Sequence, residues 1–194
     1  MAANLKNIPR HLYTLEEYFA LERASEARYE YWDGEIICMS GGSLHHAIIS
    51  DNLHGLLREL LRGKNCRAFS GTIPIKTPSR PPYRYPDASV VCGPVLTEKI
   101  GGIDALTNPV VVVEVLSPGT EQLDKEEKRE ACQKLASVRE YLLVAQDAPH
   151  VTQYGRQGRR WVRRDYGDLQ ASVELASIDQ RLLMGDIYEG VTFS

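Results

Sequence analysis

Apolar residues recur at helical spacing in the first half of the chain, and this pattern predicts one long amphipathic helix. In SLHHAIISDNLHGLLRELLRG, apolar residues return every three or four positions, as they do in a helix that packs one face on a core. That face contains Ile49, Leu53, Leu56, Leu57 and Leu60. Ser43 is suited to cap the N-terminus of this helix, and Gly63 is suited to end it.

Two shorter patterns precede this helix. In TLEEYFAL, Thr14 and Glu17 have the spacing of a capping box, which predicts the start of a short helix. In RYEYWDGEIICM, apolar and polar residues alternate around Asp33-Gly34, which predicts a β-hairpin. Glu30 therefore lies on a strand shortly before the turn.

Strand patterns dominate the rest of the chain. They cover CRAFS, YRYPDASVVCG, NPVVVVEV and EYLLVAQ, and HVTQYGRQGRRWVRRDYG predicts a hairpin that turns near Gln157-Gly158. After the valine strand, Asp124 can cap a helix that is expected to end near Ser137. This mixture predicts an α/β (mixed α+β) fold with a central mixed β-sheet flanked by helices.

Length, composition and net charge limit the number of domains and the kinds of partner that are expected. The 194 residues, 43% of them hydrophobic, suffice for one substantial core, so we expect a single domain over residues 1–194. A formal charge of -3 argues against binding nucleic acid through overall charge but still allows a local basic groove. No segment reaches the roughly 20 apolar residues of a membrane span, so no membrane partner is expected.

The four cysteines are Cys38, Cys66, Cys92 and Cys132. They lie far apart and form no C-x-x-C pair, so neither a zinc ribbon nor a redox motif is predicted. We expect reduced thiols and, because the N-terminus lacks an apolar signal segment, a cytoplasmic location.

Two acidic residues stand where apolar strands would otherwise continue. Glu114 follows four consecutive valines, and Asp87 follows Pro86 at the start of ASVVC. A buried, unpaired carboxylate is costly, whereas two converging carboxylates suit a hard divalent cation such as Mg²⁺ or Mn²⁺. Both residues also have a structural explanation, since Pro-Asp often opens a turn and a strand-terminal Glu often reaches solvent.

Helical spacing predicts the direction in which a lysine side chain on the next helix points. Lys128 shares a face with apolar residues three, four and seven positions later, namely Ala131, Cys132 and Leu135. Lys125 is expected to lie closer to solvent. Lys128 either extends along the edge of the core to reach water or directs its ammonium group at the carboxylates.

The chain resembles the Uma-type family of restriction endonucleases, a branch of the PD-(D/E)XK nuclease superfamily. The resemblance is carried by YPDASVVC, NPVVVVEVLSPGTEQLDKEEK and VREYLLV, and by YEYWDGEIICMSGGSLHHAIISDNL upstream. It therefore extends over nearly the whole chain, and EVLSPGT with the following Asp and Lys is its most specific part. It implies a restriction-endonuclease-like core with extra N-terminal strands.

The resemblance also implies roles for individual residues. Asp87 matches the Asp of the Pro-Asp motif and Glu114 the acid of the next strand, and both are the implied metal ligands. Glu30 corresponds to an additional acid from the N-terminal part. The superfamily's lysine would stand at Leu116, and its role is implied to have moved to Lys128.

The implied activity is that of a Mg²⁺- or Mn²⁺-dependent endonuclease that hydrolyses phosphodiester bonds. We expect double-stranded DNA as its substrate and a homodimer as its assembly. Arg84, His46 and Arg160 are candidate contacts to nucleic acid, although histidines at helix starts and the arginines of RQGRRWVRR are also typical of a solvated surface. Cys132 stands where family members often have tyrosine. The alternative is a catalytically silent nuclease-like module that binds nucleic acid or assists another protein.

Overall fold

The computed structural model describes residues 11–39, 42–117 and 124–193. Its helical segments are α1 (Leu15–Ala24), α2 (Leu44–Leu60), a π-helical turn (Asp124–Lys128), α3 (Arg129–Gln133), a 3₁₀ turn (Ala176–Ile178) and α4 (Met184–Ile187). Its strands are β1 (Tyr29–Trp32), β2 (Glu35–Cys38), β3 (Cys66–Ser70), β4 (Ile75–Lys76), β5 (Tyr83–Arg84), β6 (Ala88–Cys92), β7 (Thr97–Ile100), β8 (Ile103–Leu106), β9 (Pro109–Val115), β10 (Glu140–Val144), β11 (Val151–Gln157), β12 (Arg160–Tyr166), β13 (Ser172–Leu175) and β14 (Gln180–Leu183). These elements confirm the predicted mixture of helices and strands.

The largest sheet has six strands in the order β12-β11-β10-β9-β6-β3. β9 and β10 run parallel, whereas every other neighbouring pair in this sheet is antiparallel. The connection from β9 to β10 passes through the π-helical turn and α3, as a parallel crossover requires. The predicted central mixed sheet is thereby confirmed.

Helices cover both faces of this sheet. On one face, Ile49, Leu53 and Leu57 of α2 pack in a core with Val111 and Val113. On the other face, Cys132 of α3 packs in a second core with Val112 of β9 and Leu143 of β10. The four valines of β9 form an uninterrupted apolar run because each face of the strand meets a core.

The local signals at the N-terminus are confirmed. Thr14 accepts a hydrogen bond from the backbone of Glu17, whose carboxylate accepts one from the backbone of Thr14. β1 and β2 pair through Asp33 and Gly34, with φ angles of 43° and 90° that suit this tight turn. Ser43 caps α2 by accepting a hydrogen bond from the His46 N–H.

Two predicted elements have different bounds. The expected strand YRYPDASVVCG is divided into β5 and β6, which belong to different sheets, because Pro86 cannot donate a ladder hydrogen bond. α3 ends at Gln133 rather than near Ser137, since the Leu135 N–H bonds to the Cys132 oxygen and tightens the last turn. The side chain of Asp124, like Pro118–Thr120 of the EVLSPGT motif, lies outside the described part of the chain.

The expectation of four reduced cysteines is wrong for two of them. Cys66 and Cys92 are register partners on β3 and β6, and they form a disulfide. Their contact depends on strand register, which the spacing in sequence does not reveal. Cys38 and Cys132 are free thiols, and burial raises the pKa of the Cys132 thiol. The disulfide removes the thiol-based argument for a cytoplasmic location.

Across the described ranges, no helix combines the length and the apolar character needed to cross a membrane.

Candidate active site

Antiparallel pairing of β6 and β9 brings Asp87 beside Glu114. The register pairs Ala88 with Val113, and its continuation by one residue aligns Asp87 with Glu114. The backbone N–H of Val115 donates to Asp87 Oδ2 at 2.7 Å, which fixes this carboxylate against the end of β9. Two carboxylates therefore meet at one edge of the sheet, as predicted from their positions on successive strands.

Lys128 is buried between two carboxylates. Its Nζ lies 2.9 Å from Glu30 Oε1 and 3.5 Å from Glu114 Oε2, and it donates to the backbone oxygen of Tyr85 at 3.3 Å. Only 3% of the Lys128 side chain is exposed, so it does not extend to water, whereas Lys125 is exposed. The inward direction predicted for Lys128 is confirmed.

Glu30 reaches this cluster from the N-terminal hairpin. β1 is held by a tyrosine-rich core that includes Tyr18, Tyr31 and Tyr85. Both carboxylate oxygens of Glu30 are buried, and neither accepts a hydrogen bond of normal geometry from the described residues. A buried carboxylate in this state favours a cation nearby, and the Lys128 ammonium group supplies one.

Arg84 lies in the interior rather than at the surface. Its guanidinium group stacks 4.0 Å from the centre of the Trp32 ring and donates to the backbone oxygen of Tyr31 at 3.1 Å. Burial lowers the pKa of Arg84, and the negative charge of Glu30 opposes that shift. With 3% of its surface exposed, Arg84 cannot make the predicted contact to nucleic acid. Its contacts are instead internal, to the Trp32 ring and to backbone oxygens, although arginine is usually exposed.

The other two candidate contacts lie in different places. His46 Nε2 is 3.4 Å from Asp87 Oδ1, so the first turn of α2 adjoins the carboxylates. Arg160 is exposed on β12, where strand alternation directs it to the face opposite that of Glu114. The structure thus brings together Glu30, Asp87, Glu114, Lys128 and His46, and leaves Arg160 apart.

Comparison with known proteins identifies the family. The model of a family described as "Uma2: Putative restriction endonuclease" matches residues 15–183. The chain belongs to the Uma2 family. Two Synechocystis proteins, "Uncharacterized protein slr1290" and "Uncharacterized protein sll1609", are 32% and 28% identical to this Uma2 protein. The alignments cover 100% of both chains in the first case, and 84% of this chain and 92% of the relative in the second.

A solved structure has the same fold as this Uma2 protein. It is the crystal structure of "a putative nuclease belonging to DUF820" from Anabaena variabilis, with a TM-score of 0.72 and 22% identity. The match covers 92% of this chain and 99% of that one. The predicted restriction-endonuclease-like fold is confirmed.

The donor groups of the Uma2 site suit a hard divalent cation. Within the described residues, no three or more His, Cys, Asp or Glu side chains are arranged to hold a metal ion. Asp87 and Glu114, which the strand register places side by side, offer two carboxylates, and Mg²⁺ is often bound by one or two carboxylates while it keeps several waters. Glu30 is already paired with Lys128, so the two strand acids and Glu30 together carry more negative charge than the single ammonium group balances. The residues present fit a two-carboxylate metal site.

Proposed function

We propose that this protein is a Mg²⁺- or Mn²⁺-dependent endonuclease that hydrolyses phosphodiester bonds in double-stranded DNA. The observation that carries the proposal is the burial of the Lys128 ammonium group between Glu30 and Glu114, beside Asp87. One ammonium group balances the charge of one carboxylate, whereas acids from three separate segments gather here, so a further cation would complete the charge balance. Membership of the Uma2 family supports a nuclease-like function.

The side chains divide the chemical work. A bound Mg²⁺ would supply a Lewis acid for the phosphoryl oxygen and would lower the pKa of water. Asp87 is oriented for metal binding by the Val115 N–H, and Glu114 presents its carboxylate from the neighbouring strand. Lys128 offsets the negative charge that develops on the phosphate in the transition state. Glu30 holds the Lys128 ammonium group in place through their 2.9 Å ion pair.

A cleavage assay tests this function directly. Supercoiled plasmid, linear duplex, single-stranded DNA and RNA would each be incubated with the protein and Mg²⁺ or Mn²⁺. We expect cleavage of duplex DNA that EDTA abolishes. An Asp104→Asn variant, which changes an exposed acid on β8, should cleave as the wild type does. Absence of cleavage in every substrate would favour the catalytically silent module, and cleavage that resists EDTA would contradict metal dependence.

Metal binding should depend on Asp87. Asp87→Asn keeps the size of the side chain but removes the charge that attracts the cation, so we expect Mn²⁺ binding to weaken by at least about a hundredfold. Isothermal titration calorimetry with Mn²⁺ measures this change, with Asp104→Asn as the control of equal charge. Wild-type affinity in Asp87→Asn would exclude Asp87 as a ligand.

The assembly that we propose is a homodimer. Cutting both strands of a duplex favours two active sites related by a two-fold axis. Light scattering coupled to size exclusion should give about twice the 21.8 kDa mass of the chain at micromolar concentration. A monomer under those conditions would contradict paired cutting without affecting the chemistry at a single site.

A further inference from the structure

Positive charge is concentrated on the β11–β12 hairpin. Residues 151–166 contain five arginines and one aspartate, although the whole chain carries a formal charge of -3. Arg159 lies in the turn, and strand alternation divides the other four arginines between two faces of the sheet. Arg164 is a register partner of Gln153, whose side chain bonds to Glu140, so it lies on the α2 face. Arg163 is paired with Tyr154, which packs in the core of the α3 face.

Strand register connects the α3 face of this hairpin to the proposed active site. Glu114 pairs with Leu143, Leu143 with Thr152, and Thr152 with Asp165, so these four residues form one row across β9 to β12. Neighbouring strands are about 4.8 Å apart, which places the hairpin end of the row about 14 Å from Glu114. Arg163 lies next to that end, two residues from Asp165.

A groove lies beside the middle of this row, where Leu143 and Thr152 form part of its wall. Its volume is about 850 Å³, and its wall includes Leu116, Leu143, Thr152, Tyr154, Arg129 and Arg163. Arg129 of α3 lies 4.8 Å from the centre of the Tyr154 ring, and its buried Nε has no hydrogen-bond partner in the part of the chain that the structure describes. Arg163 donates two hydrogen bonds of 2.9 Å to Asp165. Two guanidinium groups are thus held in fixed positions along the groove.

We infer that this groove binds the sugar-phosphate backbone on one side of the scissile bond, with Arg129 and Arg163 each contacting a phosphate. This inference rests on the proposed nuclease function. Planar guanidinium groups match phosphate geometry, and Arg129 is pre-oriented by Tyr154. A distance of about 14 Å corresponds to about four steps of B-DNA at 3.4 Å each. Glu126 and Asp147 also line the groove, so binding depends on placed groups rather than on a large positive field.

The test compares arginines on the two faces. Fluorescence anisotropy in EDTA would measure the binding of labelled 20-nucleotide duplex DNA, single-stranded DNA and RNA as a function of salt. Arg129→Gln and Arg163→Gln should each weaken binding by roughly tenfold and reduce the salt slope by about 0.9 for duplex or 0.7 for single strands. The matched controls are Lys134→Gln, exposed at the end of α3, and Arg164→Gln, exposed on the opposite face of β12. Both controls should stay within about twofold of the wild type, a change well below one phosphate contact.

Asp165→Asn is expected to strengthen nucleic-acid binding, whereas the arginine variants should weaken it. Asparagine removes the negative charge and one of the two oxygens that accept hydrogen bonds from Arg163, so the binding of a phosphate should tighten. The oligonucleotide whose affinity changes in these variants identifies the kind of backbone that the groove binds: duplex DNA, single-stranded DNA or RNA.

Two results would overturn the inference in distinguishable ways. If the wild type binds and cleaves while Arg129→Gln and Arg163→Gln behave like their controls, the groove is not the backbone site and the nuclease function stands. If the wild type neither binds nor cleaves any of the three nucleic acids, the inference and the proposed function both fail.

Discussion

Cleavage by Glu114→Gln is expected to fall by roughly a thousandfold or more, because this change removes a metal ligand and a transition-state electrostatic partner together. Glutamine has nearly the volume of glutamate, so the packing around β9 should be retained. Without metal, the variant should unfold at an equal or higher temperature than the wild type, since one of several converging acids has been neutralised. Gel assays of cleavage and thermal unfolding followed by circular dichroism measure both effects.

Glu174→Gln is a suitable control for this variant, because Glu174 is exposed on β13 and away from the site. It should cleave at the wild-type rate. Retention of metal-dependent cleavage by a folded Glu114→Gln protein would remove Glu114 from the mechanism.

Lys128→Met is expected to lower cleavage by roughly a hundredfold or more, as the loss of one aimed electrostatic group does. The effect of Lys128→Met on the stability of the protein tests the charge balance of the site more directly than the loss of cleavage does. Removing the ammonium group leaves Glu30 and Glu114 buried without their cation, which should destabilise the metal-free protein by about 3 kcal/mol. Mn²⁺ can replace that charge, so it should raise the melting temperature of the variant more than that of the wild type.

Two further variants keep this prediction decisive. Lys134→Met changes an exposed lysine at the end of α3, outside the groove, and should retain wild-type cleavage and stability. The double variant Glu30→Gln with Lys128→Met removes one charge of each sign, so its fold should persist even where the single variant unfolds. Wild-type cleavage by either folded Lys128 variant would return Lys128 to a purely structural role.

Much of the fold could be predicted because its signals are local. The Asp33-Gly34 turn, the Ser43 cap and the apolar face of α2 each depend on residues close in sequence. The Cys66–Cys92 disulfide could not be predicted, because it depends on the register between β3 and β6. β6 begins only after Pro86, and α3 ends where its last turn tightens. Apolar periodicity predicts neither of these bounds.

The site was predictable to a similar extent. The positions of Asp87 and Glu114 on successive strands indicated two acids at one edge, and helical spacing gave the inward direction of Lys128. The ion pair between Lys128 and Glu30 joins residues 98 positions apart, so only the tertiary fold shows it. Arg84 was a candidate contact to nucleic acid, but it is buried and stacks on Trp32, which no local sequence signal indicated.

Glu30 belongs to a hairpin that lies outside the six-stranded sheet on which Asp87 and Glu114 stand. The tyrosine-rich core holds this hairpin in place, and the Tyr18 hydroxyl donates to the Tyr29 backbone oxygen at 2.9 Å. The N-terminal layer, which consists of α1 and the β1–β2 hairpin, therefore brings Glu30 to Lys128 and completes the charge balance there. A protein in which that layer separated from the sheet would keep its two strand acids, but its ammonium group would be exposed to water and would no longer have a fixed position. The geometry of the site therefore depends on two parts of the fold, the six-stranded sheet and the hairpin that carries Glu30.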